Sequence, residues 1–81
     1  MYAALRRLAG DRREAWHSAR ADLLFRLLEL KPGVSILDLG GQDGSFMMRV
    51  RDRIDARITI ADISTEALAV AKARGFATMT L

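Results

Sequence analysis

Apolar and polar positions alternate along the chain in blocks, and each block has a period. Residues 2 to 9 (YAALRRLA) fit a short helix that Gly10 should interrupt. Asp11 then suits the N-cap of a longer helix to about Leu30. In that helix Trp16, Ala19, Leu23, Leu24, Leu27 and Leu28 recur at helical spacing and predict one broad buried face. Lys31-Pro32-Gly33 should stop it, because proline disfavours helix in the residue before it. Val34 to Leu39 (VSILDL) is short, branched and mostly apolar, and predicts a strand covered on both faces.

Gly40 to Gly44 (GGQDG) predicts a tight loop. Ser45 is the expected cap of a helix from Phe46 to about Ile54. Phe46, Met47, Val50 and Ile54 should point inward, and Arg49, Arg51, Asp52 and Arg53 should form a solvated face with Arg57. Arg57 to Ala61 (RITIA) predicts a second strand with Asp62 at its end. Ser64 fits the N-cap of a helix through Arg74, with Glu66 in the first turn where the helix dipole favours an acid. Gly75 should close that helix, and Phe76 to Leu81 (FATMTL) predicts a third strand.

Helices alternating with strands across short connections imply an α/β fold with a parallel sheet. The expected architecture is a Rossmann-like half domain: a three-stranded parallel sheet, order 3-2-1, with crossover helices. Residues 1–31 form an N-terminal helical segment and 32–81 a partial nucleotide-binding domain.

Composition narrows the function classes. With 81 residues and 51% apolar content the chain suits one folded domain with a modest core. It has no cysteine, so disulfides and thiolate metal sites are excluded. No run approaches the roughly 20 apolar residues of a membrane span, and the first ten residues lack the apolar core of a secretory signal. The expectation is a cytoplasmic protein. The net charge of +3 lies wholly in residues 1–31, where seven bases meet four acids. A basic segment can meet nucleic acid, but its aromatic residues are not interleaved with the bases in the way single-strand binders use them. A solvated face with pairs such as Asp22 and Arg26 accounts for it better. His17 is expected on the solvent side of its helix, and Met47 and Met48 in packing and on the adjacent surface.

The candidate chemistry is concentrated in Ile36-Leu37-Asp38-Leu39-Gly40-Gly41-Gln42-Asp43-Gly44. A strand runs into a glycine turn and then a helix. Ligands of open parallel sheets bind beyond the carboxyl ends of the strands, and glycines allow close backbone approach there. Asp62 stands 22 residues after Gly40, at the end of the next strand, where a carboxylate can accept both hydroxyls of a ribose. Together these two features point to a ligand containing adenosine. The nicotinamide pattern G-x-G-x-x-G fails: from Gly40 its later glycines would fall on Gln42 and Ser45. A phosphate loop would lack its lysine. Asp38 and Asp43 flank the loop, and two acids suit a cationic ammonium and sulfonium better than a pyrophosphate.

On these residues the stretch from Leu30 to Gly75 resembles the first half of class I S-adenosylmethionine-dependent methyltransferases. Pro32-Gly33, Ile36-Leu37-Asp38-Leu39-Gly40 and Asp43-Gly44-Ser45-Phe46 are similar to their first motif. Ala61-Asp62-Ile63-Ser64, with Ala67, Leu68 and Ala71, is similar to their acidic post-strand motif. The resemblance implies S-adenosyl-L-methionine as cofactor. Asp38 would orient the loop and meet the methionine amino group, Gly40, Gly41 and Gly44 would form the loop around the methionine moiety, Asp62 would bind the ribose hydroxyls, and Ile63 would pack on adenine. The first helix, at Trp16 or nearby, would lid the site.

Gln42 stands where the family commonly has glycine, and a left-handed conformation there would cost on the order of 1 kcal/mol unless Gly41 absorbs the turn. The strands that hold substrate and any base in such enzymes have no counterpart in these residues. The expectation is therefore a cofactor-binding portion, completed by self-association or by a second chain that extends the sheet. No catalytic residue is assigned. The alternatives are a non-catalytic pseudo-methyltransferase module whose acids merely cap turns, and a nucleic-acid adaptor.

Overall fold

The computed structural model describes the backbone of residues 2–81 and the side chains of residues 15–81. Three helices alternate with three strands: α1 (Tyr2–Leu28), β1 (Val34–Leu39), α2 (Ser45–Arg51), β2 (Ala56–Asp62), α3 (Thr65–Ala73) and β3 (Ala77–Thr80). The fold is a small α/β arrangement around an open, fully parallel sheet. β2 lies in the middle, between β1 and β3. Val34 to Leu39 pair in register with Ala56 to Ala61, so the ends of β1 and β2 lie side by side.

The core forms on one face of this sheet. Ile58 and Ile60 of β2 meet Met47 and Val50 of α2, Leu68 and Ala71 of α3, and Phe76. Val50 and Ile60 are fully buried, each stabilising the fold by about 1.5–3 kcal/mol. Leu24 and Phe25 of α1 and Ile36 of β1 pack at its margin.

Several expectations are corrected. Gly10 does not interrupt the first helix, and Asp11 is interior to α1, not its cap. A glycine inside a helix costs about 1 kcal/mol against alanine, too little to break 27 residues on its own. The helix stops at Leu28, two residues before the expected boundary, where Glu29 turns left-handed at φ 48°. The side chains of residues 2–14 lie outside the described residues.

The broad apolar face of α1 is only partly covered: Leu24 packs inward, while Trp16, Leu23, Leu27 and Leu28 are exposed. β1 is not covered on both faces. Its even-numbered residues are half-buried, but Leu37 and Leu39 (67% exposed) lie on a bare face. Across the ladder Leu39 neighbours Ala61, which is fully buried, and Ala61 neighbours Met79, which is half-exposed. A continuous apolar run predicts two buried faces only when something covers both.

The arginines are not simply a solvated face either. Arg51 stacks on the Phe76 ring at 4.4 Å and donates to the Arg74 carbonyl. Arg53 lies over Phe25 and pairs with Asp22, the acid expected to pair with Arg26.

The third helix follows its sequence signals closely. The Ser64 Oγ accepts from the Ala67 N–H at 3.1 Å, with Glu66 in the first turn. At the other end Gly75 (φ 94°) donates to the Lys72 carbonyl and Phe76 to the Ala71 carbonyl. This pair of hydrogen bonds satisfies two carbonyls that the helix end would leave open.

Candidate functional site

The parallel register brings the ends of β1 and β2 together, and with them the two βα turns. Each turn carries one carboxylate of interest. Asp62, the last residue of β2, is 8% exposed. Its Oδ2 accepts the Gln42 N–H at 2.9 Å and its Oδ1 accepts the Ser64 N–H at 2.8 Å. It therefore ties the two turns together. A carboxylate has about four acceptor positions, so each oxygen keeps one for a ligand.

The β1–α2 turn is built differently. Gly40 (φ 74°) donates to the Ala61 carbonyl at 2.7 Å. Nothing lies within 4 Å of where its Cβ would stand, so the chain opens outward there. Gly41 is needed for a steric reason: a Cβ would stand 2.5 Å from Asp38 Oδ2 and 2.9 Å from the Ile60 side chain. Gln42 takes φ 55°, so this non-glycine residue is the one that turns left-handed, and Gly41 does not relieve it.

Gly44 (φ 79°) is the N-cap of α2, and its missing side chain faces the Phe76 ring, 2.7 Å from a notional Cβ. Its requirement thus comes from the core rather than from the hollow. Ser45 is the first residue of α2 and not its cap. Asp43, one residue before the cap, takes the first helical amide, its Oδ1 accepting the Ser45 N–H at 3.0 Å and the Ser45 hydroxyl at 2.6 Å. Arg74 fixes this corner from α3, donating to the Asp43 carbonyl at 2.9 Å and to Ser45 Oγ at 3.0 Å.

Two hollows adjoin at Gln42 and Asp43. The first, of about 310 Å³, is lined by Asp38, Leu39 and the turn from Gly40 to Asp43, with His17 and Arg20 contributed by α1 and Ser45 and Phe46 by α2. The second, more open and of about 620 Å³, is lined by Asp62, Ile63, Ser64, Glu66, Ala67 and Val70. Of the residues singled out in the sequence, Asp38, Gly40 and Gly41 share the first hollow, and Asp62 and Ile63 share the second. Gly44 lines neither.

The electrostatics differ from the sequence expectation. Asp43 is paired with Arg74 at 3.5 Å, so it is not a bare acid beside the loop. Asp38 is the open one. Burial pushes its carboxyl above the ordinary value of 3.8; the nearby Arg20 opposes that rise, and Asp62 adds to it.

Sequence reasoning missed Arg20, His17 and Phe46. His17 is half-buried and its ring lies 5.9 Å from that of Phe46, not on the solvent side. Trp16 does not line the hollow; the α1 residues that do are the next one and Arg20. No local signal marks them, because their role depends on how α1 packs on α2. No family model matches the chain, and no curated protein matches it significantly.

Proposed function

We propose that the chain binds S-adenosyl-L-methionine across these two hollows, as the cofactor-holding portion of a methyltransferase built on a Rossmann-like half fold. The observation that carries this reading is the placement of Asp38 and Asp62 at adjacent strand ends, with a glycine turn between them and a hollow beside each. The residues fit the molecule. Asp62 keeps acceptor positions for a ribose diol, and Ile63, 79% exposed, offers an apolar surface for a purine. Gly40 leaves space beside the first hollow for a ligand chain, and Asp38 presents a carboxylate to an ammonium group.

Bound S-adenosylmethionine would supply an electrophilic methyl group. Transfer of that group asks mainly for alignment of donor and acceptor, so this half of the site needs no acid–base dyad. The residues here hold and orient, and the acceptor comes from elsewhere. Both β1 and β3 are sheet edges, and the bare face carries Leu37, Leu39 and Met79. We therefore extend the proposal to self-association, or to a second chain that completes the sheet. Light scattering should give a mass above that of one chain.

A second reading has its own support. Asp62 is already satisfied by two backbone amides, and Gln42 holds a strained conformation. A non-catalytic module acting through protein contacts would need no more.

Calorimetric titration with S-adenosylmethionine and S-adenosylhomocysteine separates the two readings. Saturable binding that Asp62→Ala abolishes supports a working cofactor site, provided that thermal melting shows the variant folded. The absence of binding to the wild-type chain favours the non-catalytic module.

A further inference from the structure

We propose that α1 is a membrane-docking element, which lays its exposed stripe of Trp16, Leu23 and Leu27 into the surface of an anionic lipid bilayer. The inference is independent of the cofactor reading, since none of these three residues lines either hollow.

The helix has apolar residues on two sides. One side meets the rest of the fold: Ala21 is fully buried, and Leu24 and Phe25 pack on the core. The other side is bare. Trp16 is 62% exposed, Leu23 53% and Leu27 70%, and Ala19 between them is exposed as well. At about 100° per residue these four positions share an arc of about 80°. They follow one another over about three turns, roughly 16 Å, so they form a stripe and not scattered single residues.

Charge selects the occupant. On the same helical wheel Arg20 and Arg26 border the arc, one on each side. Asp22, the one acid between Ala15 and Leu28, lies further round and is taken by Arg53. Arg26 is thereby left without an ion pair among the described residues. Residues 1–31 as a whole carry seven bases and four acids. An apolar stripe between cations, with a tryptophan at one end, suits the boundary between lipid headgroups and acyl chains. The leucines enter the chains, and the long arginine stems carry their guanidinium groups back to the phosphates. A second copy docked on this stripe would set the same cations against each other. A nucleic acid would meet the cations but would not bury the leucines. No described helix is long and apolar enough to cross a membrane, so α1 lies on the bilayer and does not span it.

The test uses the whole chain, whose single tryptophan stands in the stripe. With vesicles of equal parts phosphatidylglycerol and phosphatidylcholine, the chain should co-sediment and the Trp16 emission should move to the blue. Vesicles of phosphatidylcholine alone should bind it about 10- to 100-fold more weakly, and added salt should narrow that margin. Leu23→Glu and Leu27→Glu should each weaken binding to the mixed vesicles about tenfold or more. Arg26→Gln should weaken it about fivefold on the mixed vesicles and leave phosphatidylcholine binding unchanged. Leu37→Glu, on the bare face of the sheet, should bind as the wild type does. Circular dichroism checks that each variant is folded.

No binding to the mixed vesicles, or equal binding to both kinds, would overturn the proposal. So would binding that survives both leucine variants in folded protein. A solution dimer that Leu27→Glu dissolves would make the stripe a contact between copies instead, and binding to a mixed-sequence RNA in place of vesicles would assign the cations to nucleic acid. Each of these results leaves the adenosine reading to the calorimetric titration, which decides it separately.

Discussion

The two βα turns lie at the same end of one sheet and are built on opposite plans. After β2, two residues suffice: Asp62 at the strand end anchors two backbone amides, Ser64 caps α3, and no positive φ is needed. After β1, the chain takes five residues, three of them left-handed, and the first amide of its helix is satisfied by Asp43, which Arg74 holds in place. The short turn is complete without a ligand. The long one leaves Asp38 and Arg20 open to the same hollow. On the proposed reading, the rigid post would hold the sugar and the strained loop would face the charged end.

The largest effect should come from Gly44. Gly44→Ala adds a methyl group against the Phe76 ring and forces a left-handed alanine. A loss of about 2–4 kcal/mol in urea unfolding is expected. A loss under about 1 kcal/mol would mean that the long turn is not locked to the core as described. Asp62→Ala comes next. It orphans the amides of Gln42 and Ser64 and should cost about 2 kcal/mol, with Asp62→Asn milder because one acceptor remains. If both variants melt with the wild type, Asp62 is not the post that joins the turns.

Gln42→Gly should act in the opposite direction. It relieves the φ of 55° and should raise stability by less than about 1 kcal/mol, partly offset by the entropy of the unfolded glycine. A destabilised Gln42→Gly would show that the glutamine side chain contributes more than its backbone costs.

The smallest effect concerns Asp38. Its folded carboxyl lies above the ordinary value through burial, so the folded chain holds this proton more tightly than the unfolded chain does. The stability this gives is fully present below the unfolded value of 3.8 and is lost as pH rises through the raised folded value. Asp38→Asn should therefore be more stable than wild type at neutral pH, modestly so for a half-exposed group, and the gap should close on acidification. Stability curves that stay parallel across this range would remove burial as the cause.

These comparisons also show what the sequence made legible. Ser64 and Gly75 act through bonds to residues within four positions, so local pattern sufficed to place both ends of α3. The parallel sheet followed from strands and helices in alternation. What failed was non-local. Leu37 and Leu39 have the composition of a doubly covered strand, but their cover depends on elements elsewhere. Gly10 weakens a helix without ending it. Arg20 lines the same hollow as Asp38 only because α1 packs on α2, and neither charge nor spacing marks that packing.

The most direct test of the central claim is a ¹⁵N-resolved amide titration of the chain with S-adenosylhomocysteine. The account predicts saturable shifts concentrated in Gly40 to Gly44 and Asp62 to Ser64, the two turns that frame the hollows. Shifts confined to other segments, or none at millimolar ligand, would contradict it.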